Sequence, residues 1–101
     1  MLVHIVMWRL HEQAPNGKSR AENAIELQRR FAALVGIIPG LHRCELGIDV
    51  SSTAESGDIV LYSEFDSVAA LDAYQTHPLH LEIGAILKDA RSERRVVDYI
   101  Q

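Results

Sequence analysis

A tyrosine and two histidines stand close together in the segment LDAYQTHPLH, residues 71–80, where a proline interrupts two helical patterns. Tyr74 and His80 are the candidate catalytic residues, with His4 near the start of the chain as their companion. An imidazole with a reference pKa of about 6.5 can take up and return a proton near neutral pH. A tyrosine hydroxyl can donate a hydrogen bond to a carbonyl or enolate oxygen. Together these residue types indicate acid–base chemistry beside a carbonyl group.

Each of these residues also has a structural interpretation. Tyr74 can pack with its hydroxyl paired, and His80 can hydrogen-bond the start of a helix. His4 lies among apolar strand residues, where a histidine is more often a core residue than a catalyst. His77 directly precedes Pro78, so we expect it to accept from a backbone N–H at a helix start rather than to bind a ligand.

The chain has five histidines, so a metal centre is an alternative to acid–base chemistry. His77 and His80 are three residues apart, but no third ligand has a recognisable spacing, so no metal site is expected. Cys44 alternates with aliphatic residues and is predicted to be a buried thiol, and Ser63 has no neighbouring base pattern. No glycine-rich phosphate-binding loop is present. We therefore expect neither a metal nor an organic cofactor.

The elements that must position these residues follow from the hydrophobic periodicity. Alternating patterns predict four strands, at Leu2–Leu10, Leu41–Val50, Ile59–Phe65 and Arg95–Ile100. In the second strand, one side is predicted to carry His42, Cys44, Leu46, Ile48 and Val50. The loop 51–58 joins the two middle strands, which indicates a hairpin.

Three helices are predicted between the strands. The first begins after the N-cap Ser19 and runs to Ile38, because the residue before a proline is pushed out of the helical region. Its apolar positions are Ala24, Leu27, Phe31, Leu34, Val35 and Ile38. The second is capped by Asp66 or Ser67 and runs to Gln75, and the third runs from Pro78 to about Ala90.

The resulting order, β-α-β-β-α-α-β, predicts a ferredoxin-like α+β sandwich with an antiparallel four-stranded sheet and helices on one face. The first strand is apolar on both sides, with Leu2, Val6 and Trp8 on one and Val3 and Ile5 on the other. The helices of one chain cover one side easily. We expect the other side to meet the same face of a second copy, giving a homodimer.

Composition narrows the class of protein. A chain of 101 residues with 48% hydrophobic and 24% charged residues is typical of one globular domain, assigned here to residues 1–101. A net charge of −4 without a basic stripe argues against nucleic-acid binding. A lone cysteine suits a reducing compartment, and the apolar run at residues 1–8 is too short to cross a membrane. The expected location is cytoplasmic.

Several landmarks along the whole chain resemble one known family. In order they are His4-Ile5-Val6, Ile38-Pro39-Gly40, Ser63-Glu64-Phe65, Leu71-Asp72-Ala73-Tyr74, His77-Pro78-Leu79-His80 and Val96-Val97-Asp98-Tyr99. Their combined order is similar to that of the stress-responsive A/B barrel (Dabb) domain family, the dimeric alpha/beta barrels. The resemblance implies a ferredoxin-like protomer whose sheet packs on that of a second protomer.

The resemblance also carries functional expectations. The family includes plant polyketide cyclases that perform an aldol condensation without a cofactor, and their motif positions fall on His4, Tyr74 and His80. The leading hypothesis is therefore a homodimer with an apolar cavity for a small carbonyl or phenolic ligand, acting by acid–base chemistry of the aldol cyclase or lyase kind. A non-catalytic stress-responsive or structural dimer is the alternative, since other members have no established catalysis. A cofactor-independent monooxygenase is the second alternative.

Overall fold

The computed structural model describes all residues from Met1 to Gln101. Its strands are β1 (Leu2–Leu10), β2 (Leu41–Ile48), β3 (Ile59–Phe65) and β4 (Arg91–Ile100). Its helices are α1 (Arg20–Ala32), α2 (Val68–Gln75) and α3 (Pro78–Ala90). The strands form one antiparallel sheet in the order β2-β3-β1-β4. The predicted ferredoxin-like α+β fold and the β2–β3 hairpin are confirmed.

The core lies between the helices and one face of the sheet. Even-numbered residues of β1 face the helices and are buried, because successive strand residues point to opposite sides. The core cluster is Leu2, Val6, Trp8, Leu10, Ala24, Leu27, Phe31, Leu34, Ile38, Leu41, Leu46, Ile59, Leu61, Phe65, Leu71, Tyr74, Ile83, Leu87 and Ala90. No helix of this structure is long and apolar enough to cross a membrane.

Helix α1 begins as predicted and ends earlier than predicted. Ser19 and Glu22 form a capping box, in which each side chain accepts from the other residue's backbone N–H. The helix stops at Ala32, and it could not have continued to Ile38, because Gly36 has a φ of +89°, which a right-handed helix cannot contain. Leu34 and Ile38 are buried all the same, whereas Val35 is 44% exposed and does not belong to the core.

A bulge in β2 changes the predicted sides of that strand. Leu41 pairs with Phe65 and Arg43 pairs with Glu64, so His42 is an extra residue. Leu41 therefore lies on the side of the buried Leu46, whereas the prediction placed His42 there; His42 is exposed.

The end of β2 also differs from the prediction. The strand stops at Ile48, because the carboxylate of Asp49 accepts from the N–H groups of Ser51 and Ser52 and so forms a turn. Val50, predicted to lie in the strand, is 95% exposed beyond it.

Strand β4 begins four residues before the predicted Arg95, directly after α3. The segment Arg91-Ser92-Glu93-Arg94 has no apolar alternation, yet it pairs with the end of β1. Arg91 pairs with Leu10 and Glu93 with Arg9, so Ser92 is an extra residue in β4.

The two faces of the sheet are not covered equally. Every residue of β4 is exposed, so the helices leave the inner side of this edge strand open. The outer face of the sheet carries partly exposed apolar residues near its centre. They are Ile5, Met7, Val60, Val97 and Tyr99.

Candidate active site

A cavity of about 140 Å³ opens between the helices and the inner face of β1 and β4. His4, Tyr74 and His80, the three predicted site residues, all contribute to its wall. Its other polar lining residues are Gln75, Arg91 and Arg94. The cavity is smaller than the roughly 300–1,000 Å³ of common ligand sites, so its volume suits only a small molecule or one end of a larger one.

His80 stands in the first turn of α3 and is half-buried. Its Nδ1 lies 3.1 Å from the backbone oxygen of Gln75. Because a carbonyl oxygen only accepts, Nδ1 carries the proton and the neutral ring keeps a free lone pair on Nε2. Burial lowers the pKa of His80 below 6.5; the hydrogen bond to Gln75 opposes this shift, and the nearby His4 and Arg94 add to it. The ring is therefore neutral at pH 7 and can act as a base.

Tyr74 lies near the end of α2 and is 2% exposed. Its ring centroid is 5.0 Å from that of Phe65 and 4.4 Å from that of His80. The buried hydroxyl has no hydrogen-bond partner. Burial raises the pKa of Tyr74 above 10, so the hydroxyl remains a proton donor at neutral pH. An unpaired buried hydroxyl costs stability, which a ligand oxygen could recover by accepting from it.

His4 is 3% exposed in the middle of β1. Its Nδ1 lies 2.5 Å from Oδ1 of Asp98 on β4, and a carboxylate oxygen accepts, so the proton is on Nδ1. The hydroxyl of Ser63 donates to the backbone oxygen of His4 at 2.9 Å. Asp98 was not predicted to be a site residue. The signal was available, since pairing the first and last strands end to end places residue 98 opposite residue 4.

The remaining candidates have structural roles. His77 is the N-cap of α3, and its Nδ1 accepts from the N–H of Leu79 at 3.1 Å, as expected. Cys44 is half-buried, and burial raises the pKa of its thiol to about 12, so it is a poor nucleophile. No group of three or more His, Cys, Asp or Glu residues is placed to hold a metal ion.

Two arginines at the cavity were not predicted as site residues. Arg91 and Arg94 both line it, although residues three apart on a regular strand point to opposite faces. The extra residue Ser92 restores the same orientation to both side chains. The polar run that contains them has no hydrophobic alternation, so it was not predicted to be part of a strand.

Comparisons with known proteins agree with this architecture. The stress responsive A/B barrel domain family, Dabb, matches residues 2–101. The chain therefore belongs to the Dabb family. No curated protein matches it significantly.

Among solved structures, the chain is similar to a dimeric ferredoxin-like protein of unknown function from Bacteroides fragilis. The two are 30% identical with a TM-score of 0.86, over 99% of this chain and 95% of the other. A dimeric ferredoxin-like protein from Thermobifida fusca is 25% identical, with a TM-score of 0.78 over 99% and 90% of the chains. The hydroxynitrile lyase from Passiflora edulis is 22% identical, with a TM-score of 0.79 over 99% and 92%, and this likeness concerns the fold alone.

Proposed function

We propose that this Dabb protein is a homodimer in which each protomer binds a small carbonyl or phenolic compound and acts on it by acid–base chemistry without a cofactor. The cavity wall would supply His80 as the base, Tyr74 as the hydrogen-bond donor and His4 as a further polar contact. The reaction class is an aldol-type cyclisation or the reverse, lyase-type, cleavage.

The unpaired hydroxyl of Tyr74, whose ring packs against that of His80, is the observation that carries this proposal. The hydroxyl is buried without a partner, and the ring of His80 lies 4.4 Å away between centroids. The hydrogen bond to Gln75 leaves Nε2 of His80 without a proton. Tyr74 and His80 thus both line one small cavity, and their side chains carry the donor and the base that proton abstraction beside a carbonyl requires.

In the proposed step, Nε2 of His80 takes a proton from the carbon next to a carbonyl group. The electron pair of the broken C–H bond forms an enolate, whose oxygen accepts from the hydroxyl of Tyr74. The enolate carbon then attacks a second carbonyl carbon, forming a C–C bond, and the new alkoxide takes the proton back from His80. The reverse sequence breaks the same bond, so neither direction consumes an oxidant or a reductant.

The non-catalytic dimer is the competing function, and two observations favour it. The cavity of about 140 Å³ is below the size of common ligand sites, and His4 is already paired with Asp98. The unpaired Tyr74 hydroxyl favours the acid–base function instead. The second alternative, a cofactor-independent monooxygenase, has no supporting feature among these side chains.

The outer face of the sheet supports the proposed dimer. Met7, Val97 and Tyr99 are 47%, 58% and 43% exposed there, around the partly buried Ile5. A cluster of exposed apolar side chains on one face is typical of a protein–protein interface. The similar proteins from Bacteroides fragilis and Thermobifida fusca are described as dimeric.

Exchange of α-protons in D₂O tests the proposed chemistry. Acetophenone is a small phenyl ketone with exchangeable methyl protons, and proton NMR follows their replacement by deuterium. The native protein should accelerate the exchange, and His80→Ala should abolish this acceleration. Tyr74→Phe should reduce it by about 10²-fold or more, the usual effect of removing an oxyanion donor.

His11→Ala is the matched control, because it removes an exposed histidine outside the cavity. Its exchange rate should equal that of the native protein. Failure of the native protein to accelerate exchange, or equal rates in native protein and His80→Ala, would favour the non-catalytic dimer.

A further inference from the structure

The cavity is lined by two cationic side chains, Arg91 and Arg94, and by no carboxylate. This contrasts with the chain as a whole, whose net charge is −4. Neither guanidinium has an acidic partner within ion-pair distance. Arg9 and Arg95 also have none, whereas Arg20, Arg29, Arg30 and Arg43 are paired. The positive charge at the cavity is therefore not neutralised by the protein.

Local backbone geometry is what brings both arginines to the cavity. Arg94 lies opposite Trp8 and Arg91 opposite Leu10, and both β1 residues face the helices. On a regular strand through the same residues, Arg91 and Arg94 would be three apart and would point to opposite faces, so the bulge at Ser92 is what keeps both on the inner side. Bulges of this kind often re-aim a side chain next to a functional site.

We propose that the cavity takes a ligand with a carboxylate, which Arg91 and Arg94 bind, while the carbonyl oxygen of the same ligand accepts from Tyr74. This inference rests on the proposed function and names its substrate class, small 2-oxo or aryl oxo acids. Guanidinium groups donate several N–H bonds in a planar arrangement that matches a carboxylate, and such charge-assisted bonds are about twice as strong as neutral ones.

A structural role for the arginines is the competing explanation. Arg91 follows the last residue of α3, where a cation interacts favourably with the helix dipole. That role accounts for one arginine at the strand start. It does not account for Arg94, which stands three residues further on and contributes to the lowered pKa of His80.

Binding of benzoylformate and of its neutral amide, benzoylformamide, measured by isothermal titration calorimetry, tests the inference. The two probes share a phenyl ring and a ketone and differ in the negative charge. The native protein should bind benzoylformate at least tenfold more tightly. Arg94→Ala and Arg91→Ala should each reduce this ratio by about tenfold while leaving the affinity for the amide unchanged.

Lys88→Ala is the control for general electrostatic attraction, because it removes an exposed positive charge on α3 outside the cavity. Lys88→Ala should keep the native ratio of the affinities for benzoylformate and benzoylformamide. Equal affinities for the two probes, no binding of benzoylformate, or a native ratio in both arginine variants would overturn the inference. None of these outcomes decides the proposed function, which depends on the exchange of acetophenone protons, a neutral probe. Circular dichroism of each variant establishes that it is folded.

Discussion

His4 and Asp98 face each other across the β1–β4 pair, with Nδ1 of the imidazole 2.5 Å from a carboxylate oxygen. The histidine is almost fully buried, whereas the aspartate side chain is 40% exposed. The contact thus joins the cavity wall to the open edge of the sheet. It holds the ring of His4 in one orientation and fixes its proton on Nδ1.

Removing the carboxylate should therefore destabilise the fold. Asp98→Ala leaves a buried N–H of His4 without a partner, and we expect the free energy of unfolding to fall by about 1–2 kcal/mol. Urea denaturation measures the change. Asp98→Asn keeps an acceptor oxygen at the same place and should lose less than half as much. Equal losses in the two variants would show that the hydrogen bond to His4 is not the cause.

Tyr74→Phe should remove the hydrogen bond proposed for the ligand without destabilising the folded protein. The hydroxyl of Tyr74 is buried and unpaired, so its removal should leave the free energy of unfolding unchanged or raise it by up to about 1 kcal/mol. Chemical denaturation of the ligand-free protein provides the measurement. Tyr62→Phe is the control, since its hydroxyl donates to Glu64 in a partly exposed pair. A loss of more than 1 kcal/mol in Tyr74→Phe would mean that this hydroxyl has a partner in solution.

The lowered pKa of His80 predicts a specific dependence of stability on pH. Its pKa in the folded protein lies below the ordinary value of 6.5, so the unfolded chain binds more protons between these two values. The contribution of a neutral His80 is present above pH 6.5 and is lost as the pH falls from there through the folded pKa.

Comparison of the native protein with His80→Gln isolates this effect. As the pH rises from about 5 to 6.5, the free energy of unfolding should increase more steeply for the native protein than for His80→Gln. The two proteins share all other titrating groups, so the difference in slope belongs to His80. An NMR titration of the His80 ring gives the folded pKa directly. Parallel curves for the two proteins, or a His80 pKa above 6.5, would contradict the prediction.

A charged residue on the outer face of the sheet should prevent dimerisation. Val97 lies opposite Ile5 on that face and is 58% exposed, so Val97→Glu should leave the protomer folded. In a dimer the carboxylate would be buried without a partner, at a cost of several kcal/mol. Sedimentation velocity should find a dimer for the native protein and a monomer for this variant. Ile25→Glu, which alters a 62% exposed residue of α1, should stay dimeric.

The sequence predicted which helices and strands form more accurately than the residues at which they begin and end. Periodicity located β1 and β3 to the residue, and the Thr76-His77-Pro78 segment located the break between α2 and α3. The end of α1 was predicted too late, because Leu34 and Ile38 are buried by a turn that happens to continue helical spacing. Burial alone does not distinguish a last helical turn from a chain that folds back.

The candidate site was predictable in its aromatic part only. Tyr74 and His80 belong to one short segment, and the resemblance to the Dabb family supplied His4. Asp98, Arg91 and Arg94 depend on the pairing register of an edge strand that is exposed on both sides. Hydrophobic alternation arises when one side of a strand is buried, so such a strand leaves no periodic signal.

The extra residue in β4 means that the charge of the cavity depends on how the strand pairs as well as on residue type. Arg91 and Arg94 are three apart in the chain, so they share the inner side only while the bulge at Ser92 is kept. Deletion of Ser92 would leave them two apart on a regular strand, which again places both on one side. A relative could thus present the same two cations from arginines two residues apart, and an alignment by position alone would pair only one of them with its counterpart.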